Sequence, residues 1–332
     1  MNHSAASPPP AQDGSEPILT DWRYRAGLYT VAVAAIAYLA FSLWGGWRDV
    51  LQAAKNVGLT GVCVALALSL VNYGLRFVRW QVYLQVMRHS VPWRPSLGIY
   101  LAGFALTTTP GKAGELLRGV MLRSRGVPFS VSVAAFLSER LSDLIAIVLL
   151  ALVGLTAYPH ARSIVTIGVV IVVLGLVLLS NEEMIRALCA RFESSSRVGG
   201  AIQHSLQVLQ QAKHCHVPWL LALATGLSIL AWAAEAFAFY LILGWMNVDV
   251  SFAFALFVYA ASMLAGALSF MPGGLGGAEA VMMAILLWQG VSVADSVAAT
   301  VLIRLATLWF AVAIGCVMLL RQPDSVWIDV RR

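Results

Sequence analysis

From residue 26 to residue 320 the chain is apolar almost without interruption, and this constrains its fold more than any single motif. A membrane-spanning helix needs about 20 mostly apolar residues, and segments of that kind cover nearly the whole interval. Of the 332 residues, 60% are hydrophobic and 11% are charged, where a soluble domain carries roughly 25% charged residues. The chain is therefore read as an all-α polytopic membrane protein, with no soluble domain of useful size.

The net charge of +6 does not indicate nucleic acid. The basic residues cluster beside apolar segments, as the positive-inside rule predicts. The four cysteines provide no disulfide framework: Cys63 and Cys316 lie in apolar spans, Cys189 and Cys215 in a basic loop, and free thiols are expected.

Residues 1–25, rich in Ser, Pro and Ala, read as a disordered cytoplasmic tail. A single integral membrane domain fills 26–320, and 321–332 form a second cytoplasmic tail. A first span is expected at 26–44 and, after the amphipathic run WRDVLQAAKNVG, a second at 59–87. Residues 96–109 are apolar but too short to cross, and Pro110-Gly111 stops any helix there. The charged stretch 112–125 then returns through protein or water, which makes a re-entrant hairpin. Spans follow at 129–158 and 164–180, then a basic cytoplasmic loop at 181–217.

The break occurs twice. TTTPGKAGELLRG at 107–119 is matched by FMPGGLGGAEA from Phe270, and in each a glutamate, Glu115 or Glu279, follows the Pro-Gly. Glu115 to Arg140 and Glu279 to Arg304 are both 25 residues, and Gly126-Val127 and Gly290-Val291 fall at equal distances after the glutamates. Repeat 1 thus covers about 59–158 and repeat 2 about 217–320. With one extra span between them, the total is six full transmembrane helices and two Pro-Gly-broken hairpins in an inverted-topology repeat. Of 22 Lys and Arg, three (Arg48, Lys55, Arg162) then lie on one side, Arg140 and Arg304 lie mid-span, and 17 lie on the other. Both termini are accordingly expected in the cytoplasm. Reading the hairpins as full crossings gives eight spans, which fits the charge distribution less well.

Arg140 lies about 17 Å into its span, near the bilayer centre, and Arg304 lands at similar depth from the other face. A lone arginine there costs at least ~2.5–3.5 kcal/mol, so both need acidic partners or water. The carboxylates on offer are Glu115, Glu139, Asp143, Glu235 and Glu279, and Asp143 is one turn from Arg140. Half-helices starting at the breaks, marked by Pro110, Gly111 and Gly114 and by Pro272, Gly273, Gly274, Gly276 and Gly277, would present free N–H groups to an anion. Close helix packing would use the same glycines. Arg76, Arg79, Lys112, Arg118, Arg123 and Arg125 form a second set, expected at the cytoplasmic surface near lipid head groups. His214-Cys215-His216 lacks the spaced pairs of a zinc site, and neither metal nor cofactor is expected. No phosphate-binding loop, HExxH or GxSxG motif is present.

The runs PGKAGELLRG, SERLSDL and MPGGLGGAEA, in that order and followed by Arg304, resemble the lysylphosphatidylglycerol synthase transmembrane family over about 59–320. The resemblance implies a flippase-type membrane region. It extends a functional role to Pro110, Gly111, Gly114, Glu115, Arg118, Glu139, Arg140 and Asp143, and to Pro272, Gly273, Gly276, Glu279 and Arg304. The synthases also carry a cytoplasmic aminoacyl-transferase domain. This chain ends at Arg332, so the expectation is a stand-alone member in a bacterial plasma membrane.

The reading that follows is a lipid translocase binding an anionic or aminoacylated phospholipid, or a polyprenyl or glycolipid head group, in a midplane cavity. Arg140 and Arg304 would hold the anion. The alternative is an intramembrane enzyme of lipid or lipid-linked glycan metabolism with Glu115 or Glu279 as general base. The expected partner is a membrane lipid, with a second copy of the chain or a separate lipid-modifying enzyme as further candidates.

Overall fold

The computed structural model describes residues 47–109, 113–155, 215–269 and 271–321, with isolated positions within 29–38, 166–174 and 208–212. The terminal tails, most of the expected spans at 26–44 and 164–180, and most of the 181–217 loop lie outside the described residues. The described elements are all helical: α1 (Trp47–Val86), α2 (Trp93–Ala102), α3 (Ala113–Arg123), α4 (Phe129–Leu155), α5 (Pro218–Trp245), α6 (Phe252–Leu268), α7 (Gly277–Trp288) and α8 (Val293–Leu320). Trp47–Val86, Pro218–Trp245 and Val293–Leu320 are long and apolar enough to cross a bilayer. Phe129–Leu155 is of similar length but carries Glu139, Arg140 and Asp143. Leu70, Val78, Leu149, Val153 and Leu230 stand exposed on these helices, as side chains facing lipid would.

Two local features follow from glycine. Within α1, Gly58 takes φ 66° and ψ 175°, which separates the amphipathic lead-in from the apolar helix that follows. Between α6 and α7, Gly273, Gly274 and Gly276 all have positive φ, so the chain reverses there without Cβ strain. The first hairpin breaks differently. After α2 the chain tightens into a 3-10 turn, Gly103–Leu106, and the Thr109 hydroxyl and N–H both donate to the Leu106 carbonyl, at 2.6 and 3.1 Å. The Ser269 hydroxyl donates to Gly266 O in the second hairpin, at 2.8 Å.

The elements of the two expected copies pack on one another. α1 and α5 begin the two copies and pack along their length, with Gly61 against Trp245, Asn72 Nδ2 donating to Ala231 O at 2.9 Å, and Arg79 reaching Ser228. Numbers rise along α1 as they fall along α5, so the two helices are antiparallel. The other elements exchange partners. The first limb of hairpin one, Trp93–Leu106, packs on Phe310–Leu320 at the end of α8, and α6 packs on α4. Gly315 makes the first of these contacts close, because a Cβ there would collide with the Ala105 backbone. Each copy therefore completes its packing only with the other, and the described repeats form one unit. The breaks also meet: a Cβ built on Gly273 would lie 3.3 Å from Thr108 Cγ2.

Candidate functional site

Two groups of buried charge flank the α1/α5 contact. The first is centred on Asp143 of α4. Arg79 Nη1 donates to its Oδ1 at 2.6 Å, while Arg140 Nη2 and Arg76 Nη2 lie 3.1 and 3.5 Å from Oδ2. The Trp232 indole N–H donates to Oδ1 at 3.3 Å. One carboxylate thus faces three guanidinium groups. Arg79 is 1% exposed, and its Nη1 also reaches Ser142 Oγ at 3.1 Å and Ser228 Oγ. The Nε atoms of Arg76, Arg79 and Arg140, and Nη2 of Arg79, have no acceptor among the described residues. Arg140 is the most open of the three, with 28% of its side chain exposed. Arg76 stacks over the Trp232 ring at 5.5 Å, which holds it without using its donors. Beside Arg79 the helices leave a crevice too narrow to admit water, lined also by Val82, Tyr83, Leu220, Leu223 and Leu227.

The second group belongs to repeat 2. Arg304 Nε donates to Glu279 Oε1 at 2.6 Å, and its Nη2 donates to Gly273 O at 2.8 Å. Glu279 Oε2 accepts the Gly276 N–H at 2.6 Å. The N-terminus of α7, expected to offer free N–H groups to an anion, is therefore capped by the protein's own carboxylate in this copy. Gly274 and Gly277 serve close packing instead: Gly274 lies against Gly266, and a Cβ on Gly277 would meet Ser269 at 2.8 Å.

The set expected at the cytoplasmic surface divides. Arg123 and Arg125 are exposed. Arg76 and Arg79 instead belong to the Asp143 cluster. Arg118 is buried against the Trp80 and Tyr100 rings, at 4.8 and 5.1 Å, and pairs with Glu139 at 3.2 Å. The physical reason is helix rotation: Arg76 and Arg79 share one face of α1, and that face meets α4 and α5 rather than solvent. Asp143 does pair with Arg140 as its spacing predicts, but it is shared with two arginines from α1. Gly114 makes the close packing of hairpin one, since a Cβ there would strike Gly103 O. Pro110, Gly111 and Lys112 lie outside the described residues, as do the side chains of Glu115 and Pro272.

Ser142 of the SERLSDL run lines the Asp143 cluster. Other contributors carry no motif: Ser228 and Trp232 also line that cluster, and Tyr259 donates to Glu235 Oε2 at 2.6 Å. Polar residues at helical spacing within apolar runs were the available signal: Ser228, Trp232 and Glu235 lie three or four apart on α5. At the foot of α5, Cys215 is buried and burial pushes its thiol up to about 12, while His216 Nδ1 lies 2.6 Å from Ala212 O. Cys63, Cys215 and Cys316 are free thiols.

Comparison with known proteins finds membrane proteins along most of the chain. The sequence profile described as the lysylphosphatidylglycerol synthase TM region matches residues 28–315. Two UPF0104 membrane proteins of Methanothermobacter thermautotrophicus are similar. One is 23% identical over 328 residues, covering 91% of this chain and 96% of the relative. The other is 24% identical over 315 residues, covering 87% and 93%. A UPF0104 membrane protein of Pyrococcus horikoshii is 23% identical over 324 residues, covering 88% and 96%.

Proposed function

Because the chain belongs to the lysylphosphatidylglycerol synthase transmembrane-region family, we propose that this multi-pass membrane protein binds the anionic head group of a membrane lipid and carries it between leaflets. The observation that supports this reading is the arrangement of Arg76, Arg79 and Arg140 about the single carboxylate of Asp143. Three guanidinium groups against one carboxylate leave a local excess of positive charge inside an apolar protein. Such an excess is costly unless an anion completes it. A phosphate oxygen meets that need, and guanidinium forks match phosphate geometry. Arg140, the most exposed of the three, is the point of entry.

The antiparallel α1 and α5 supply the second element. If both cross the bilayer, the two copies have opposite orientation, and the broken hairpins α2/α3 and α6/α7 enter from opposite sides as re-entrant pairs. Their tips, close at Thr108 and Gly273, then divide a path between leaflets into two halves that alternate in opening. We place the protein in the plasma membrane with both termini in the cytoplasm, in accord with the distribution of its lysines and arginines.

The test is reconstitution into vesicles carrying a labelled anionic phospholipid in one leaflet. The wild-type protein accelerates its appearance in the other leaflet, and Arg140→Ala does not. Equal rates for the two would remove the cluster from the mechanism.

A further inference from the structure

Glu235 stands apart from the other buried carboxylates. Asp143, Glu139 and Glu279 each hold at least one arginine within ion-pair distance. Glu235 is 4% exposed, lies midway along α5, and has no cation that close among the described residues. Its hydrogen bond comes from the Tyr259 hydroxyl. The charged and titratable groups that face it are Tyr73 and Arg76 from α1, Asp143 from α4, Tyr259 from α6 and Arg304 from α8. It therefore sits in the field of both arginine groups while paired to neither.

A direct physical link joins it to the Asp143 cluster. Trp232 precedes Glu235 by three residues on the same face of α5. The Trp232 N–H is bound to Asp143, and its ring lies under the Arg76 guanidinium. On the other side, Tyr259 and Tyr73 both approach Thr307, with the Tyr73 hydroxyl donating to the Thr307 carbonyl. Thr307 lies in the π turn Leu305–Trp309 of α8, where the regular backbone ladder is interrupted. Hydroxyl groups thus extend from Glu235 to α1.

We propose that Glu235 is a proton-binding site coupled to the anion held by Arg76, Arg79 and Arg140, so that a lipid phosphate and a proton travel together. The inference rests on the head-group reading above and adds its ion coupling. With the cluster empty, the arginine field attracts the ionised carboxylate and opposes the cost of its burial. When a phosphate neutralises that field, the carboxylate loses its support in an apolar site and takes up a proton. By linkage, protonation of Glu235 strengthens anion binding by the same factor. The balance is simple: a proton from water on one side forms the O–H bond of the Glu235 carboxyl. That bond breaks when the phosphate leaves, and the proton passes to water on the other side.

The experiment uses purified full-length protein in weakly buffered detergent, titrated with short-chain phosphatidylglycerol, whose phosphodiester does not titrate near neutral pH. Wild type is expected to bind it with pH-dependent proton uptake that does not exceed about one per lipid, the limit for one coupled site. Glu235→Gln should bind the lipid and take up none. Binding without proton uptake in wild type overturns this inference alone, and so does unchanged uptake in Glu235→Gln. No binding by either protein overturns the head-group reading itself. Should Glu235→Gln fail to fold, infrared difference spectra of wild type decide the matter. A protonated-carboxyl band that grows with added lipid, and shifts in Tyr259→Phe, supports the proposal, and a band that stays flat refutes it.

Discussion

Arg304 Nε lies 2.6 Å from Glu279 Oε1, and the same carboxylate caps the Gly276 N–H at the start of α7. One glutamate therefore ties the break of the second hairpin to the last helix, with both side chains buried. Removing one member of such a pair strands the other charge in an apolar site. Glu279→Gln or Arg304→Met alone should each lower stability by ~3–5 kcal/mol. The double substitution should cost clearly less than the sum of the two. Thermal unfolding of the four proteins in one detergent measures this, and strict additivity would show that the pair is not coupled.

Gly315 tests the exchanged packing of the two copies. Its backbone sits directly on Phe104 and Ala105 of hairpin one, with no room for a side chain. Gly315→Val forces α8 from that hairpin and should destabilise the protein by ~1–3 kcal/mol, the usual cost of overpacking. Gly226 and Gly244 of α5 face open space, so Gly226→Ala should be close to neutral. A comparable loss at both positions would mean that the α8 contact is not what holds hairpin one.

Much of this architecture could be read from residue spacing, because period and charge in apolar sequence have few physical outcomes. The equal distances Glu115–Arg140 and Glu279–Arg304 are the basis of the expected repeat, and the second pair of residues forms an ion pair in the structure. The pairing of Arg140 with Asp143 followed from their place one turn apart on α4. What spacing could not supply was helix rotation. Arg76 and Arg79 were expected at the surface because they sit near the end of an apolar run, yet they turn inward to Asp143, 67 and 64 residues away in sequence. Nor could spacing tell that Glu279 would occupy the helix terminus that the Pro-Gly break creates. Both depend on contacts between elements, and those are set by which small residues let the backbones approach.

Cys215 and His216 report on the foot of α5, outside its span. Burial holds the Cys215 thiol well above its usual range, so maleimide should label it far more slowly in the folded protein than in denaturant. Burial also lowers His216 below its ordinary value of 6.5, with the contact to Ala212 O partly opposing. The unfolded segment then binds more protons than the docked one as pH falls through that value. Docking is accordingly complete above about pH 6.5 and weakens below it. The check is the Cys215 labelling rate, divided at each pH by the rate for unfolded protein. This ratio should rise as pH is lowered, and in His216→Gln it should stay constant.

The Asp143 cluster gives the sharpest test of what its arginines are for. Asp143 is the only carboxylate within ion-pair distance of Arg76, Arg79 and Arg140 among the described residues. Asp143→Asn keeps the shape and removes the carboxylate within ion-pair distance, which leaves three guanidinium groups without that paired anion. Stability should fall by several kcal/mol, about the ~3–5 kcal/mol seen when a buried pair loses one partner. A site built only for internal pairing would have no remedy for that loss. A site shaped to take an external anion would have one, because a bound phosphate replaces the missing carboxylate and stabilises the folded state by mass action. Short-chain phosphatidylglycerol should therefore raise the melting temperature of Asp143→Asn more than that of wild type, while short-chain phosphatidylcholine, with no net charge, should not. Arg140→Ala placed on Asp143→Asn removes the most accessible of the three cations, so it should recover part of the lost stability and abolish the rescue. Equal responses of Asp143→Asn to the two lipids would mean that Arg76, Arg79 and Arg140 serve only to fix α1 against α4.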